Sequence, residues 1–338
     1  MGIDVIPYDP YHPHFGYTAA ISCVAWVSIV LFSRLKLRWQ PQLRTALYAL
    51  AIGLPLYAES TSYVIALVRP PPETPLGYLL THIHASLLQP LPIDSPLSPA
   101  MSMLVLPGLA GLLLVSLVRF ALSTWRLNRA LAGARPMAYT SYGWLWLSLS
   151  GMARARRRRL PPVLICSLAE PLAFTTGVIR PRIYITPALL ELLTAEEALA
   201  VLCHEWGHVQ RHDLLWNWLM HTMRDLVWFL PGGHLAWRSM LESQDQACDV
   251  LAATMTNRPL AVARALVKVA GARSAKPALP LLAASSFALA GRPLHVRVEH
   301  MISLYECGEQ PARGAAIGAG LLALALLVLA ILPVLLGS

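Results

Sequence analysis

Apolar runs long enough to cross a bilayer, each bordered by arginines, set the first limit on how this chain can fold. Four segments approach the ~20 apolar residues that a membrane core demands: 17–33, 46–68, 100–120 and 314–338 of the 338 residues. Composition agrees, with 56% hydrophobic and 13% charged residues and a mean hydropathy of +0.53. A soluble domain carries roughly 45–50% apolar and about 25% charged residues, so an ordinary cytosolic protein and a large disordered region are both excluded. The net charge of +9 and pI near 9.6 come from basic residues beside the apolar runs, not from a basic domain interleaved with aromatics. They read as charges that orient spans, with no direct nucleic-acid role.

Orientation follows from those flanks. Arg34, Lys36, Arg38 and Arg44 separate the first two runs, and Arg119, Arg126, Arg129 and the cluster Arg154, Arg156–Arg159 follow the third. The loop 69–99 is nearly free of basic residues, so the positive-inside bias places both termini outside and the long segment after the third run in the cytoplasm. Leu76, Leu79, Leu80, Ile83, Leu87 and Leu88 make the outer loop amphipathic at helical spacing. The acidic N-terminus has no basic region ahead of its apolar run, which argues against a cleaved signal peptide. Five scattered cysteines without a C-x-x-C pair argue against a disulfide framework. Glu59 interrupts the second span, either as a functional acid within the membrane or as its outer end. The expected layout is spans one to three in 1–135, a cytoplasmic domain at 136–313 and a fourth span at 314–338.

Within the cytoplasmic segment, Val163–Cys166 and Arg182–Thr186 read as strands bounded by proline. Thr194 and Glu197 form a capping box ahead of a helix, a second helix is expected over 214–230, and Pro231-Gly232-Gly233 is read as a break before a third over 235–255. The first of these helices carries His204-Glu205-Trp206-Gly207-His208. Residues four apart share a helix face, so two imidazoles can grip one metal while Glu205 reaches a water beside it. That arrangement serves metal-assisted hydrolysis. A catalytic zinc takes a third protein ligand and keeps its fourth position open, and Glu242, Asp245 and Asp249 supply carboxylates on the third helix. His212 reads as a helix-end residue, His234 as a candidate oxyanion stabiliser, and Cys203 and Cys248 as small core residues facing away from the metal.

The run from Ala173 to Leu215, with His204-Glu205-x-x-His208 inside it and Asp245-Gln-Ala-Cys-Asp249 after it, resembles the M56 membrane metallopeptidases of the BlaR/MecR antibiotic-sensor type. It is more distantly similar to the M48 family of HtpX-type and CAAX prenyl proteases. The resemblance implies a mainly α membrane protein with four transmembrane helices and a cytoplasmic α+β, gluzincin-type zinc peptidase domain between helices 3 and 4. It also implies one catalytic Zn2+ and a zinc metalloendopeptidase of the bacterial inner membrane. Those families carry E-x-x-x-D on the later helix, so by position Asp245 takes the ligand slot and Asp249 orients a histidine. Asp245 is one methylene shorter than the usual Glu, so the helices must approach more closely, or Glu242 must take its place. The strand Arg182, Ile183, Tyr184, Ile185 and Thr186 is expected beside the cleft as an edge that pairs with substrate. Expected partners are a protein substrate (a cytoplasmic repressor or a membrane protein), the lipid bilayer, and a sensor partner or a second copy of the chain. BlaR-type proteins continue into an outer penicillin-binding sensor, whereas this sequence ends at Ser338, so direct β-lactam sensing is not expected of it.

Overall fold

The computed structural model describes residues 99–272 except 227, 229 and 230, the segments 284–286 and 294–307, and isolated helical positions between 27 and 52. Glu59, the fourth expected span and nearly all of the first span and the outer loop lie outside the described residues. Helix α1, Pro99–Ala130, contains the expected third span and continues past Phe120. Within it, Ala110–Ala130 is long and apolar enough to cross a membrane, the one such helix among the described residues. Arg129, in its last turn, lies over the Trp125 ring at 5.6 Å.

A five-stranded sheet follows, in the order β1-β2-β4-β3-β5. Its strands are β1 (Arg135–Pro136), β2 (Val163–Ile165), β3 (Ala173–Thr176), β4 (Arg182–Ile185) and β5 (Ala284–Ser286). The two expected strands are present as β2 and β4; β3 and β5 were not foreseen. One expectation is overturned by the order. The segment Arg182–Thr186 is no edge, because β4 pairs with β2 in parallel and with β3 antiparallel. Its backbone donors and acceptors are committed on both sides, and Thr186 leaves the strand to cap helix α3 (Pro187–Leu192), accepting from the Leu189 N–H. The neighbour β3 lies against the helix that carries the histidines, and β5 pairs along its other side. The β3–β4 turn needs Gly177, whose φ of +96° favours a residue without Cβ.

Helix α2 (Gly143–Ala155) buries Leu145 and Leu149 and leaves Trp144 and Leu147 exposed. The five helices that build the site are α4 (Ala195–Gln210), α5 (Asp213–Leu226), α6 (Pro231–Thr256), α7 (Pro259–Gly271) and α8 (Leu294–Cys307). The capping box forms in full: the Thr194 N–H donates to Glu197 Oε2 at 2.9 Å, and the Glu197 N–H donates to Thr194 Oγ1. Such a cap contributes about 1 kcal/mol, and Lys268 of α7 adds an ion pair to Glu197 at 2.7 Å. The Pro-Gly-Gly turn was expected to precede the third helix, yet α6 begins at Pro231 itself, since proline lacks only an N–H that the first helical turn leaves unused.

Val201, Leu202, Cys203 and Trp206 of α4 form the centre of the main core with Ile183 and Ile185 of β4, Leu145 and Leu149 of α2, and Val262 and Leu266 of α7. Each of these side chains is fully or almost fully buried. Helix α4 is thus held firmly in the core, which fixes the face that carries His204 and His208. Tyr48 and Ile52, from the expected second span, pack with Met220 of α5 and with Ala236 and Met240 of α6.

Candidate metal centre

His204 and His208 lie one turn apart on α4, both buried, with their Nε2 atoms 3.2 Å from each other. Asp245 of α6 brings its Oδ1 to 3.6 Å from His208 Nε2. Donor atoms of His204, His208 and Asp245 all lie within 4.8 Å of one another, so these three residues form a group that can hold a metal ion. Glu242, the alternative third ligand, is outside this group and pairs with Arg238 at 3.5 Å on α6.

The close approach of α4 and α6 has a specific cause. A Cβ at Gly207 would meet Cys248 Sγ at 3.2 Å and Leu251 Cδ2 at 3.3 Å. The glycine of the His-Glu-Trp-Gly-His sequence therefore lets α6 sit near enough for a short aspartate to reach the histidines.

Each imidazole is anchored through its other nitrogen. His204 Nδ1 is 2.9 Å from Asp249 Oδ1, as expected, and His208 Nδ1 is 2.9 Å from Asp213 Oδ2. Nδ1–H groups that donate to these carboxylates leave both Nε2 atoms as lone-pair donors facing each other. Two lone pairs at 3.2 Å repel unless a proton or a cation lies between them, and the donor set fits a cation. Burial disfavours a charged imidazole at both positions. At His204 it prevails over Asp249 and pushes the pKa down to about 4. At His208 the Cys248 sulfur and the Asp213 bond outweigh it and hold the pKa well above the ordinary value. Burial also pushes the Asp245 carboxyl up to about 7 against the pull of Arg297 and His208. Asp249 is held well below the usual carboxylate range, because Arg297 and His204 outweigh its burial.

Glu205 is fully buried, and Thr175 of β3 places its hydroxyl 2.7 Å from Glu205 Oε2 and 3.2 Å from the Glu205 carbonyl oxygen. The sheet strand beside α4 therefore fixes one carboxylate oxygen of Glu205. Such an arrangement of two histidines, three nearby carboxylates and a buried glutamate suits metal-assisted hydrolysis.

The family model described as BlaR1 peptidase M56 matches residues 97–300, more than half of the chain. The chain belongs to the M56 peptidase family. Curated relatives agree with a peptidase: it is 27% identical to a protease HtpX homolog of Aquifex aeolicus over 134 residues, 37% of this chain and 44% of that protein. It is 25% identical to the methicillin resistance mecR1 protein of Staphylococcus aureus over 92 residues, 27% of this chain and 15% of that protein. The matched stretch thus spans less than half the length of either relative. The crystal structure of S. mikatae Ste24p aligns with 86% of this chain and 99% of that one, at a TM-score of 0.40 and 13% identity.

Two further expectations for this M56 chain are corrected by the geometry. His234 is exposed and its Nε2 bonds the Trp228 carbonyl at 2.9 Å, so its ring is engaged at the surface instead of being aimed at the histidines. Cys203 is a core residue as expected, but Cys248 is more than that, with Sγ 3.4 Å from His208 Nδ1 and 3.6 Å from Asp213 Oδ2. Cys248 lies about 100° around α6 from Asp249 and about 60° from Asp245, which brings its sulfur to the rear of His208. Burial pushes its thiol up to about 11. His212, with φ of +56°, ends the turn between α4 and α5.

Three residues near the centre escaped the sequence reading: Asp213, Thr175 and Arg297. Asp213 stands five residues after His208, a spacing that places it beyond the helix end instead of on its face. Thr175 and Arg297 reach the site only through long-range packing, for which spacing offers no signal.

Proposed function

We propose that this chain is a membrane zinc metalloendopeptidase in which His204, His208 and Asp245 hold one zinc, Glu205 is the general base and acid, and Asp249 orients His204. The observation that carries the reading is the convergence of the three donors with both histidines anchored from behind. Two zinc bonds of about 2.0–2.1 Å at a tetrahedral angle hold their donor atoms roughly 3.4 Å apart. The separations of 3.2 Å between the imidazoles and 3.6 Å from His208 to Asp245 bracket that value.

A zinc held by His204, His208 and Asp245 would supply a Lewis-acid charge able to polarise a peptide carbonyl and to lower the pKa of a water beside it toward about 7. Glu205 then takes the proton of the attacking water and delivers it to the leaving amine. Thr175 donates to Oε2 of Glu205, which holds the carboxylate in place on the strand side of α4. Burial of Glu205 excludes bulk water from the exchange.

The proposed layout is four spans with 136–313 on the cytoplasmic side of a bacterial inner membrane and both termini outside. Its substrate is a protein, and the similarity to a mecR1 protein favours regulated cleavage of a cytoplasmic repressor, with the signal arriving through the spans or a partner. A second reading, quality control of membrane proteins, is favoured by the HtpX similarity and by Leu215 and Trp216. These two side chains are exposed on α5, which packs on the apolar helix α1.

The test is a comparison of new protein N-termini in cells expressing wild type or Glu205→Ala. Cleavage of one soluble repressor only with wild type supports the signalling reading, and cleavage of many membrane proteins supports quality control. Biological activity that persists unchanged in Glu205→Ala would contradict a peptidase and leave a non-catalytic membrane scaffold.

A further inference from the structure

We infer that Arg297 of α8 is a positioning residue of the metal centre, holding Asp249 against His204 and Asp245 toward His208. The inference rests on the proposed zinc reading, and it makes α8 part of the centre although that helix supplies no ligand.

Arg297 is buried, and its guanidinium grips Asp249 with two bonds: Nε to Oδ2 and Nη2 to Oδ1, each 2.7 Å. The same Oδ1 is the atom 2.9 Å from His204 Nδ1. A planar guanidinium fork fixes the plane of a carboxylate in a way that a point charge cannot. The orientation of the His204 ring is thus set by α8 through Asp249.

The third nitrogen, Nη1, lies 3.7 Å from Asp245 Oδ2, while Asp245 Oδ1 faces His208 at 3.6 Å. One oxygen of Asp245 is drawn to the arginine, and the other is left for the metal. This is the position where the chain has the shorter aspartate, so the direction of its carboxylate matters more than it would for a glutamate with an extra torsion. Charge points the same way. Asp245, Asp249 and Glu205 are three buried carboxylates, and a divalent cation together with Arg297 neutralises them.

A tie that only joins α6 to α8 would give the same contacts, so the experiment must read the metal and not stability alone. Zinc affinity of the full chain in detergent is measured by competition with a chromogenic chelator for wild type, Arg297→Gln, Arg297→Lys, Asp249→Asn, the Arg297→Gln/Asp249→Asn pair and His204→Ala. Loss of a group that orients a ligand weakens metal binding by about 10- to 100-fold, and this is the loss expected of Arg297→Gln. Arg297→Lys, which keeps the charge and loses the fork, is expected between it and wild type. In the Asp249→Asn background, Arg297→Gln is expected to add little, because its main route to the metal is already cut.

Wild-type zinc affinity in folded Arg297→Gln would overturn the inference, even if the variant melts earlier. Should Arg297→Gln fail to fold, wild-type affinity in Arg297→Lys would overturn it equally. Fully independent losses in the double variant would show that Arg297 does not act through Asp249. If His204→Ala binds zinc as wild type does, the zinc reading itself fails. If His204→Ala loses zinc while both Arg297 variants keep wild-type affinity, only the role of Arg297 fails.

Discussion

His208 and His204 are held by the same kinds of group brought together by different routes. Behind His208 stands Asp213, five residues later in the chain, with Arg211 at 3.2 Å from the same carboxylate. Behind His204 stands Asp249 of α6, gripped by Arg297 of α8. The first carboxylate–arginine pair is local, and its arginine keeps 15% of its side-chain surface exposed; the second is long-range, and its arginine keeps 5%. The difference teaches that one half of the centre follows from the end of α4 itself, while the other half exists only when α6 and α8 are docked. On the proposed zinc reading, metal affinity at this site is therefore expected to report tertiary packing as well as ligand chemistry.

The sharpest way to break the comparison is to neutralise the two carboxylates in turn. Asp249→Asn leaves the buried Arg297 without its main counter-charge, and removing one member of a buried pair costs about 3–5 kcal/mol. Asp213→Asn leaves Arg211 within reach of water, so the loss is expected near that of a charge-assisted hydrogen bond, about 1.5–3 kcal/mol. Chemical denaturation of the metal-free protein in detergent checks the order, and equal losses would erase the distinction between a local and a long-range arm.

A smaller effect tests the docking of α6 directly. Gly207→Ala places a methyl against Cys248 and Leu251, and overpacking of this kind costs about 1–3 kcal/mol. Since α6 carries both Asp245 and Asp249, the expected outcome is weaker zinc binding together with earlier melting. Unchanged zinc affinity would mean that α6 adjusts without moving its carboxylates.

The smallest effect, per unit of the variable changed, is in pH. Burial raises the Asp245 carboxyl to about 7, so between about pH 4 and 7 the metal-free folded chain keeps a proton that the unfolded chain has lost. That proton stabilises the metal-free fold at low pH, and the contribution is lost as pH rises through 7. Metal binding must expel the proton, so affinity is expected to drop by about tenfold, or about 1.4 kcal/mol, for each unit below 7 that Asp245 contributes. In Asp213→Asn, where His208 loses its own anchor, this part of the profile should persist. Titration of zinc affinity from pH 5 to 8 in both proteins checks it.

Much of the centre was legible in the sequence because local rules govern it. The capping box fixes where α4 starts, helical spacing puts His204 and His208 on one face, and the resemblance to M56 peptidases carried Asp245 and Asp249. Strand positions were legible where β-branched residues are bounded by proline, as at β2 and β4. What was not legible is pairing. The alternation within Arg182–Ile185 does not reveal that β3 and β2 flank it on both sides, and an edge strand carries the same pattern. The arginine of the long-range arm was equally hidden: nothing in Leu294–Cys307 marks Arg297 as different from the many basic residues of this chain until α8 is packed on α6. Cys248 shows the same limit at shorter range, since an angle on one helix cannot say what a neighbouring helix places there.

The most direct measurement is the zinc content of the purified full chain for wild type, His204→Ala, Asp245→Ala and Glu242→Ala. The account predicts one zinc per chain in wild type and Glu242→Ala, and its loss in His204→Ala and Asp245→Ala. Full zinc in Asp245→Ala with loss in Glu242→Ala would contradict the ligand set built on the approach of α6 to α4 at Gly207, and full zinc in His204→Ala would contradict the centre as a whole.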